Sequence, residues 1–244
     1  MRVLVTRPQP SAAATAARLE AMGHEAIVLP MMEAVHDSQA ALDVLSLPHS
    51  AIAITSAETI RALAPIKDNL LPHLATPIFC VGPATAEAAR QFGFQSVGTS
   101  FATGRALAGL VAETFSHEFH GIPKIGLGNL IYLAGVPRSP DFEAGLQDFG
   151  IPCRVAQVYR MSPILYTPKT VDTLLQANKP DVALFYSHET ARHFFASIPP
   201  ETSDALRGVR LLCLSEHVAA AIPAGFARIA VAAEPSEASL FALL

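Results

Sequence analysis

The chain has no cluster of basic residues, no long apolar run and few cysteines, and each absence removes a class of function. Its formal net charge is −4, from 17 Lys and Arg against 21 Asp and Glu in 244 residues. Binding nucleic acid needs Lys and Arg gathered on one face or along one helix. No such run exists here, so no nucleic-acid partner is expected. No apolar stretch approaches the roughly 20 residues of a membrane span. The opening MRVLVTRPQP carries a short apolar stretch after Arg2, too short for a secretory signal. A cytoplasmic protein without membrane contact is the expectation.

The three cysteines, Cys80, Cys153 and Cys213, lie far apart with no C-x-x-C spacing. Each sits in or beside an apolar run, where a free thiol packs as a small hydrophobe. The nine histidines include no H-x-x-x-H pair on a helix, so no metal site is expected. Nucleotide signatures are missing too. No G-x-G-x-x-G follows a strand, no G-x-x-x-x-G-K-[ST] occurs, and the GLGNL of residues 126–130 precedes a strand instead. Ser187 and His188 are adjacent, and adjacent side chains rarely face each other, so no Ser/His/Asp constellation is built from them. His188 and His217 read as polar cleft or surface residues. Arg61 and Arg192 read as helix arginines meeting solvent or a carboxylate.

What is present is alternation. The composition, 51% hydrophobic and 16% charged, is that of a core-forming chain. RVLVT, EAIVLP, AIAIT, PIFCV, NLIYLA, CRVAQV, DVALFY, VRLLCL and ARIAV read as strands, nearly all followed by alanine-rich helical patterns such as Ser11 to Met22, closed by Gly23. Strands this apolar, separated by helices, give βαβ units and a parallel sheet covered on both faces. The fold class is α/β. The chain also echoes itself: ITSAETIRAL (Ile54 to Leu63) with FYSHETARHF (Phe185 to Phe194), PIFCVGPATAEAA with RLLCLSEHVAAAI, and AARLEAMG with EAGLQDFG. Three echoes in one order at similar offsets point to two related halves. MMEAVHDS (residues 31–38) and YRMSPILYTP (residues 159–168) break the alternation. If both are crossovers, residues 1–34 and 164–244 form one domain and residues 37–158 another. Linkers would fall near 35–36 and 159–163, with a cleft between the domains.

Repeatedly a strand runs into a small polar residue and a helix begins. The places are Thr6-Arg7-Pro8, Thr55-Ser56-Ala57, Val81-Gly82-Pro83-Ala84-Thr85, Ala134-Gly135-Val136, Tyr186-Ser187-His188 and Leu214-Ser215-Glu216. In the third, Thr85 is expected to open the helix. In a parallel sheet all of these lie at the carboxyl edge, where ligands bind. Each alone is also an ordinary helix cap, because Ser and Thr satisfy unpaired N–H groups with or without a ligand. Together they favour a ligand with several anionic groups held by helix N-termini.

In order and spacing, VLVTRP, ITSAETIRAL, CVGPATAEAARQFGF, the strand ending Val158-Tyr159 and FYSHETARHF are similar to the uroporphyrinogen-III synthase family across essentially the whole chain. Two loops depart from it: VPRS after Gly135, and LSEHVA where a second Gly-x-Thr is common. The resemblance implies two α/β domains joined by a two-stranded linker. It implies a cyclising lyase acting on hydroxymethylbilane, a linear polycarboxylate tetrapyrrole. That reaction loses the terminal hydroxyl, inverts ring D through a spiro intermediate and needs no cofactor. Transferred residue by residue, it implies substrate contacts at Arg7, Thr55, Ser56, Gly82, Pro83, Ala84, Thr85, Gly135, Val136, Ser187, His188 and Ser215. Tyr159 becomes both a substrate contact and the proton donor. Transient contact with neighbouring tetrapyrrole-pathway enzymes also belongs to this expectation. Two other readings stay open: a non-catalytic binding or sensor protein for a polyanion, and a nucleotide enzyme using the VGPAT loop for phosphate.

Overall fold

The computed structural model describes residues 1–100, 103–116 and 129–244; the first three residues of the GLGNL stretch, 126–128, lie outside these. In chain order the strands are β1 (Arg2–Val5), β2 (Glu25–Val28), β3 (Met32–His36), β4 (Ala51–Ile54), β5 (Ile78–Val81), β6 (Val97–Ser100), β7 (Leu130–Val136), β8 (Cys153–Pro163), β9 (Val182–Phe185), β10 (Arg210–Cys213) and β11 (Ile229–Val231). The helices are α1 (Ser11–Ala21), α2 (Ser38–Leu45), α3 (Ala57–Leu63), α4 (Pro83–Phe92), α5 (Gly104–Ser116), α6 (Asp141–Asp148), α7 (Pro168–Ala177), α8 (His188–Ser197), α9 (Pro200–Ala205), α10 (Glu216–Ala219) and α11 (Glu237–Phe241).

The chain divides into two compact units, Met1–Glu33 with Ser162–Leu244 and Ala34–Met161. In the first, the strands lie in the order β2-β1-β9-β10-β11, all parallel. The other sheet has the order β6-β5-β4-β7-β8-β3, parallel from β6 to β8. The central strands AIAI and VALF are buried at every residue, because helices cover both faces. In the second unit Ile52, Ile54, Leu133 and Val158 pack under α3 and α4 on one face. Ala51, Ala53, Phe79 and Tyr132 pack under α5 and α6 on the other.

Residues 35–36 and 159–163, expected as linkers, lie within the strands β3 and β8. The Asp37 N–H bonds the Val158 carbonyl at 2.8 Å, and the Ile164 N–H bonds the Met31 carbonyl at 3.0 Å. From Met31 to Asp37 the partner steps back from Ile164 to Val158, so β3 lies antiparallel to β8 at the sheet's edge. The sequence reading omitted β6: its VGTS carries too little apolar signal, as suits an edge strand. Cys80 and Cys213 are fully buried, and burial pushes all three thiols up to about 12.

In each sheet the strand order reverses once. The reversal falls between β1 and β9 in the first unit and between β4 and β7 in the second. The connections from such a pair leave to opposite faces and open a crevice at their carboxyl ends. In the second unit α3 follows β4 onto the face of Ile60 and Leu63, while α6 follows β7 onto the face of Phe142 and Leu146.

One wall of that crevice depends on close approach of α5 and α6. A β-carbon on Gly145 would come 2.7 Å from the Ala108 β-carbon, and one on Gly104 would come 2.9 Å from the Phe142 nitrogen. Replacing Gly by Ala inside a helix ordinarily gains about 0.5–1 kcal/mol. Here Gly145→Ala should instead lose about 1–3 kcal/mol through overpacking. Urea denaturation measures the sign; a variant as stable as the parent would contradict the packing described.

Candidate active site

A cavity of about 410 Å³ occupies the switch point of the second unit, between the ends of β4 and β7. Ser56 leaves β4 in an extended conformation and caps α3, its hydroxyl accepting from the Glu58 N–H at 3.1 Å. Beside it the Thr55 hydroxyl bonds the phenol of Tyr132 at 2.9 Å. Tyr132 is buried in β7, and a phenol inside an apolar strand needs such a partner. After β7, Arg138 forms a two-pronged pair with Glu143: Nε to Oε2 at 2.9 Å and Nη2 to Oε1 at 3.0 Å. Glu143 thus uses two of five guanidinium donors, leaving three N–H groups. Thr103 and Gly104, at the start of α5, complete the lining.

Tyr159 is half-buried in β8 and enters the same cavity. Burial pushes its phenol above the ordinary 10, and the influence of the Ser56 hydroxyl opposes that shift. Burial likewise raises Tyr132. Both phenols are therefore protonated at neutral pH. The Glu143 carboxyl is held low by its hydrogen bonds from Arg138, so that pair is ionised. The cavity offers two phenols, one guanidinium and several hydroxyls, with Asp141 as an acid in its lining. A larger cavity of about 520 Å³ lies at the opposite, amino edge of the first unit's sheet, around Asp181 and Arg210.

Of the residues singled out from sequence, Thr55, Ser56, Gly135 and Tyr159 meet in this cavity. Gly82, Pro83, Ala84 and Thr85 are not among its lining, although Val81 is. Thr85 does not open its helix. Gly82, at φ 78°, is the cap, Pro83 is the first helical residue, and Thr85 is buried within the first turn. Proline's fixed φ suits the first turn, and only glycine takes a positive φ readily before it. Nor does a helix start directly at Val136: Pro137 and Pro140 hold the preceding residues out of helix, and α6 begins at Asp141. Similarly Pro8 and Pro10 delay α1 to Ser11.

In the first unit Ser187 caps α8 through the Thr190 N–H at 3.2 Å, and Ser215 caps α10 through the Val218 N–H at 3.4 Å. His188 stacks on His217 with ring centroids 4.6 Å apart. Arg7 is committed within its own unit. Its Nη1 meets Glu237 Oε1 at 2.9 Å and Thr15 Oγ1 at 3.2 Å, and the guanidinium lies 4.1 Å from the Tyr186 ring centroid. Glu237 Oε1 also accepts from Thr15 at 2.6 Å and Tyr186 at 2.8 Å, while Oε2 pairs with Arg18. Sequence reasoning missed Tyr132, Arg138 and Glu143. The available signals were a tyrosine inside an apolar strand, and an arginine three residues past Gly135 with an acid five residues beyond it.

A parallel α/β unit with a donor-rich crevice at its switch point has the architecture in which small ligands bind. The chain belongs to the uroporphyrinogen-III synthase family, a family of cyclising lyases: the family model described as Uroporphyrinogen-III synthase HemD matches residues 13–242. The fold is similar to that of uroporphyrinogen-III synthetase from Helicobacter pylori, with 17% identity, 100% of this chain and 98% of the other covered, and a TM-score of 0.62. It is similar also to a mutant uroporphyrinogen III synthase from the extremely thermophilic bacterium Thermus thermophilus, with 17% identity, 91% and 87% covered, and a TM-score of 0.54. No curated protein matches the chain. Among the described residues no helix is long and apolar enough to cross a membrane.

The Glu237 cluster makes a titration prediction. Burial raises this carboxyl, but hydrogen bonds from Thr15 and Tyr186 and the charges of Arg7 and Arg18 outweigh burial and hold it below 4.5. A depressed folded-state value gives stability that is present in full above the unfolded value and lost as pH falls through the folded one. Glu237→Gln should cost about 1.5–3 kcal/mol at neutral pH. Urea midpoints of parent and variant should converge below about pH 4.5; a gap independent of pH would contradict this account.

Proposed function

We propose that the crevice of the second unit binds hydroxymethylbilane through its carboxylates and closes it to uroporphyrinogen III, with Tyr159 as the proton donor. One observation carries the reading. A half-buried, protonated phenol sits in the same cavity as a guanidinium with unused donors, at the carboxyl edge of a switch point. The free N–H groups of Arg138 suit a substrate carboxylate, because charge-assisted hydrogen bonds are the strong ones. Thr55 and Ser56 add hydroxyls and the N-terminus of α3.

The chemistry asks little more of the chain. Push from the pyrrole nitrogen expels the terminal hydroxyl, and the Tyr159 proton goes to the departing oxygen, which leaves as water. The phenolate recovers a proton when ring closure releases one. Ring D must meanwhile be held in the geometry that leads to inversion, and such positioning can supply roughly 7–11 kcal/mol. No cofactor enters this reading. A cytoplasmic location, transient contact with neighbouring pathway enzymes and no nucleic-acid partner belong to it, and the three free thiols suit a reducing compartment.

Supplying hydroxymethylbilane and resolving the product isomers tests the function: type III should dominate, and type I alone at the uncatalysed rate would overturn it. Tyr159→Phe should lower the rate of type III formation about 100-fold, the low end of general-acid effects, with the product still mostly type III. Parent-like turnover would remove Tyr159 from the mechanism. Arg138→Gln should raise KM about tenfold or more through one lost charged hydrogen bond, with kcat within a few-fold. An unchanged KM would take Arg138 out of substrate binding.

A further inference from the structure

Glycine inside a buried strand needs a reason, since it weakens the strand and offers nothing to pack. Gly135 lies buried in β7, and its φ is not in the positive region that would demand glycine. The reason is steric. A β-carbon built on Gly135 would fall within 3.0 Å of three atoms of Tyr159: Cζ, the hydroxyl oxygen and Cε2. All three belong to the hydroxyl-bearing end of the ring.

A second, independent feature aims the ring there. The pairing of β7 with β8 is regular from Leu130 with Cys153 to Ala134 with Gln157, then slips so that Gly135 lies opposite Tyr159. Val158 is the extra residue. Without the slip Tyr159 would follow the strand's alternation onto the opposite face from Val158. With it, both Val158 and Tyr159 pack against the cluster beneath α3, and Tyr159 lines the same cavity as Ser56. Bulges commonly re-aim a side chain in this way beside functional sites.

We propose that Gly135 is a positioning residue for the reaction. Its missing side chain is the seat on which the Tyr159 hydroxyl is held beside Ser56, and the bulge at Val158 delivers the ring to that seat. Gly135 was expected to touch substrate; here it acts through Tyr159. The inference rests on the proton-donor reading of Tyr159 given above.

Gly135→Ala, Tyr159→Phe and the double variant test it, through kcat and KM for type III formation and ultraviolet titration of tyrosine ionisation. The chain has four tyrosines and no tryptophan, and the Tyr159 component is the one missing from Tyr159→Phe. In Gly135→Ala that component should move toward the ordinary phenol value as the ring leaves its seat. The kcat should fall by about the factor lost in Tyr159→Phe, roughly 100-fold, with KM within a few-fold. In the Tyr159→Phe background Gly135→Ala should cost no further rate. Parent-like titration and kcat in Gly135→Ala, or rate losses that multiply in the double variant, would overturn the proposal. Should Gly135→Ala not fold, Gly135→Ala with Tyr159→Ala should fold as Tyr159→Ala does; failure there would overturn it equally. Parent-like turnover in Tyr159→Phe together with a shifted titration in Gly135→Ala would place the error in the proton-donor reading and not in the seat.

Discussion

The candidate site depends on one constraint: β4 and β7 lie side by side, yet the chain leaves them for opposite faces of the sheet. A helix cannot cross the ends of both strands without blocking the exit of one, so the space above them stays open. Everything in the cavity is a consequence. Thr55 and Ser56 face it because they are the first residues past β4, and Arg138 reaches it because the loop after β7 must turn away before α6 can start. Tyr132 and Tyr159 reach it from β7 itself and from the neighbouring strand. The slip opposite Gly135 is a small departure from regular pairing, but it decides which face the Tyr159 phenol takes.

The first unit shows the same constraint resolved differently. After β1, α1 packs on the face of Leu19, while after β9, α8 packs on the face of Phe194, so a crevice opens beside Arg7 and Tyr186 as well. There the chain fills it with a carboxylate of its own. Glu237 gathers donors from Arg7, Thr15, Tyr186 and Arg18, and the last helix is held down by that contact. A half-buried anion is tolerable only with such a full set of partners. The second unit keeps a guanidinium, two phenols and hydroxyls in the equivalent place, with Glu143 taking one side of Arg138.

The fold was legible because its central strands are buried on both faces and read as unbroken apolar runs. Edge strands carry weaker signals: β6 is the half-polar VGTS, and β3 lies in a stretch that looked like a break. Helix starts at Ser56, Ser187 and Ser215 were legible, since a cap is a local event between neighbours. Thr85 was misplaced because a threonine is a common helix cap, and only the backbone shows that Gly82 takes the positive φ and caps the helix. The partner of Arg7 lies 230 residues away, beyond any local pattern. Arg138 and Tyr132 lie away from the residue next to each strand end, yet the loop and the strand interior also face the crevice. Gly135 was expected as a substrate contact at a strand end, and the closeness of the Tyr159 ring to it is visible only in three dimensions.

The central claim is that the second unit's switch point holds the substrate. Amide hydrogen exchange with and without a linear tetrapyrrole that competes with the substrate tests it most directly. Binding there should slow exchange at Ala57, Glu58 and Thr59 at the start of α3 and at Arg138 to Phe142 after β7. Unchanged exchange in both segments at saturating ligand would contradict the account.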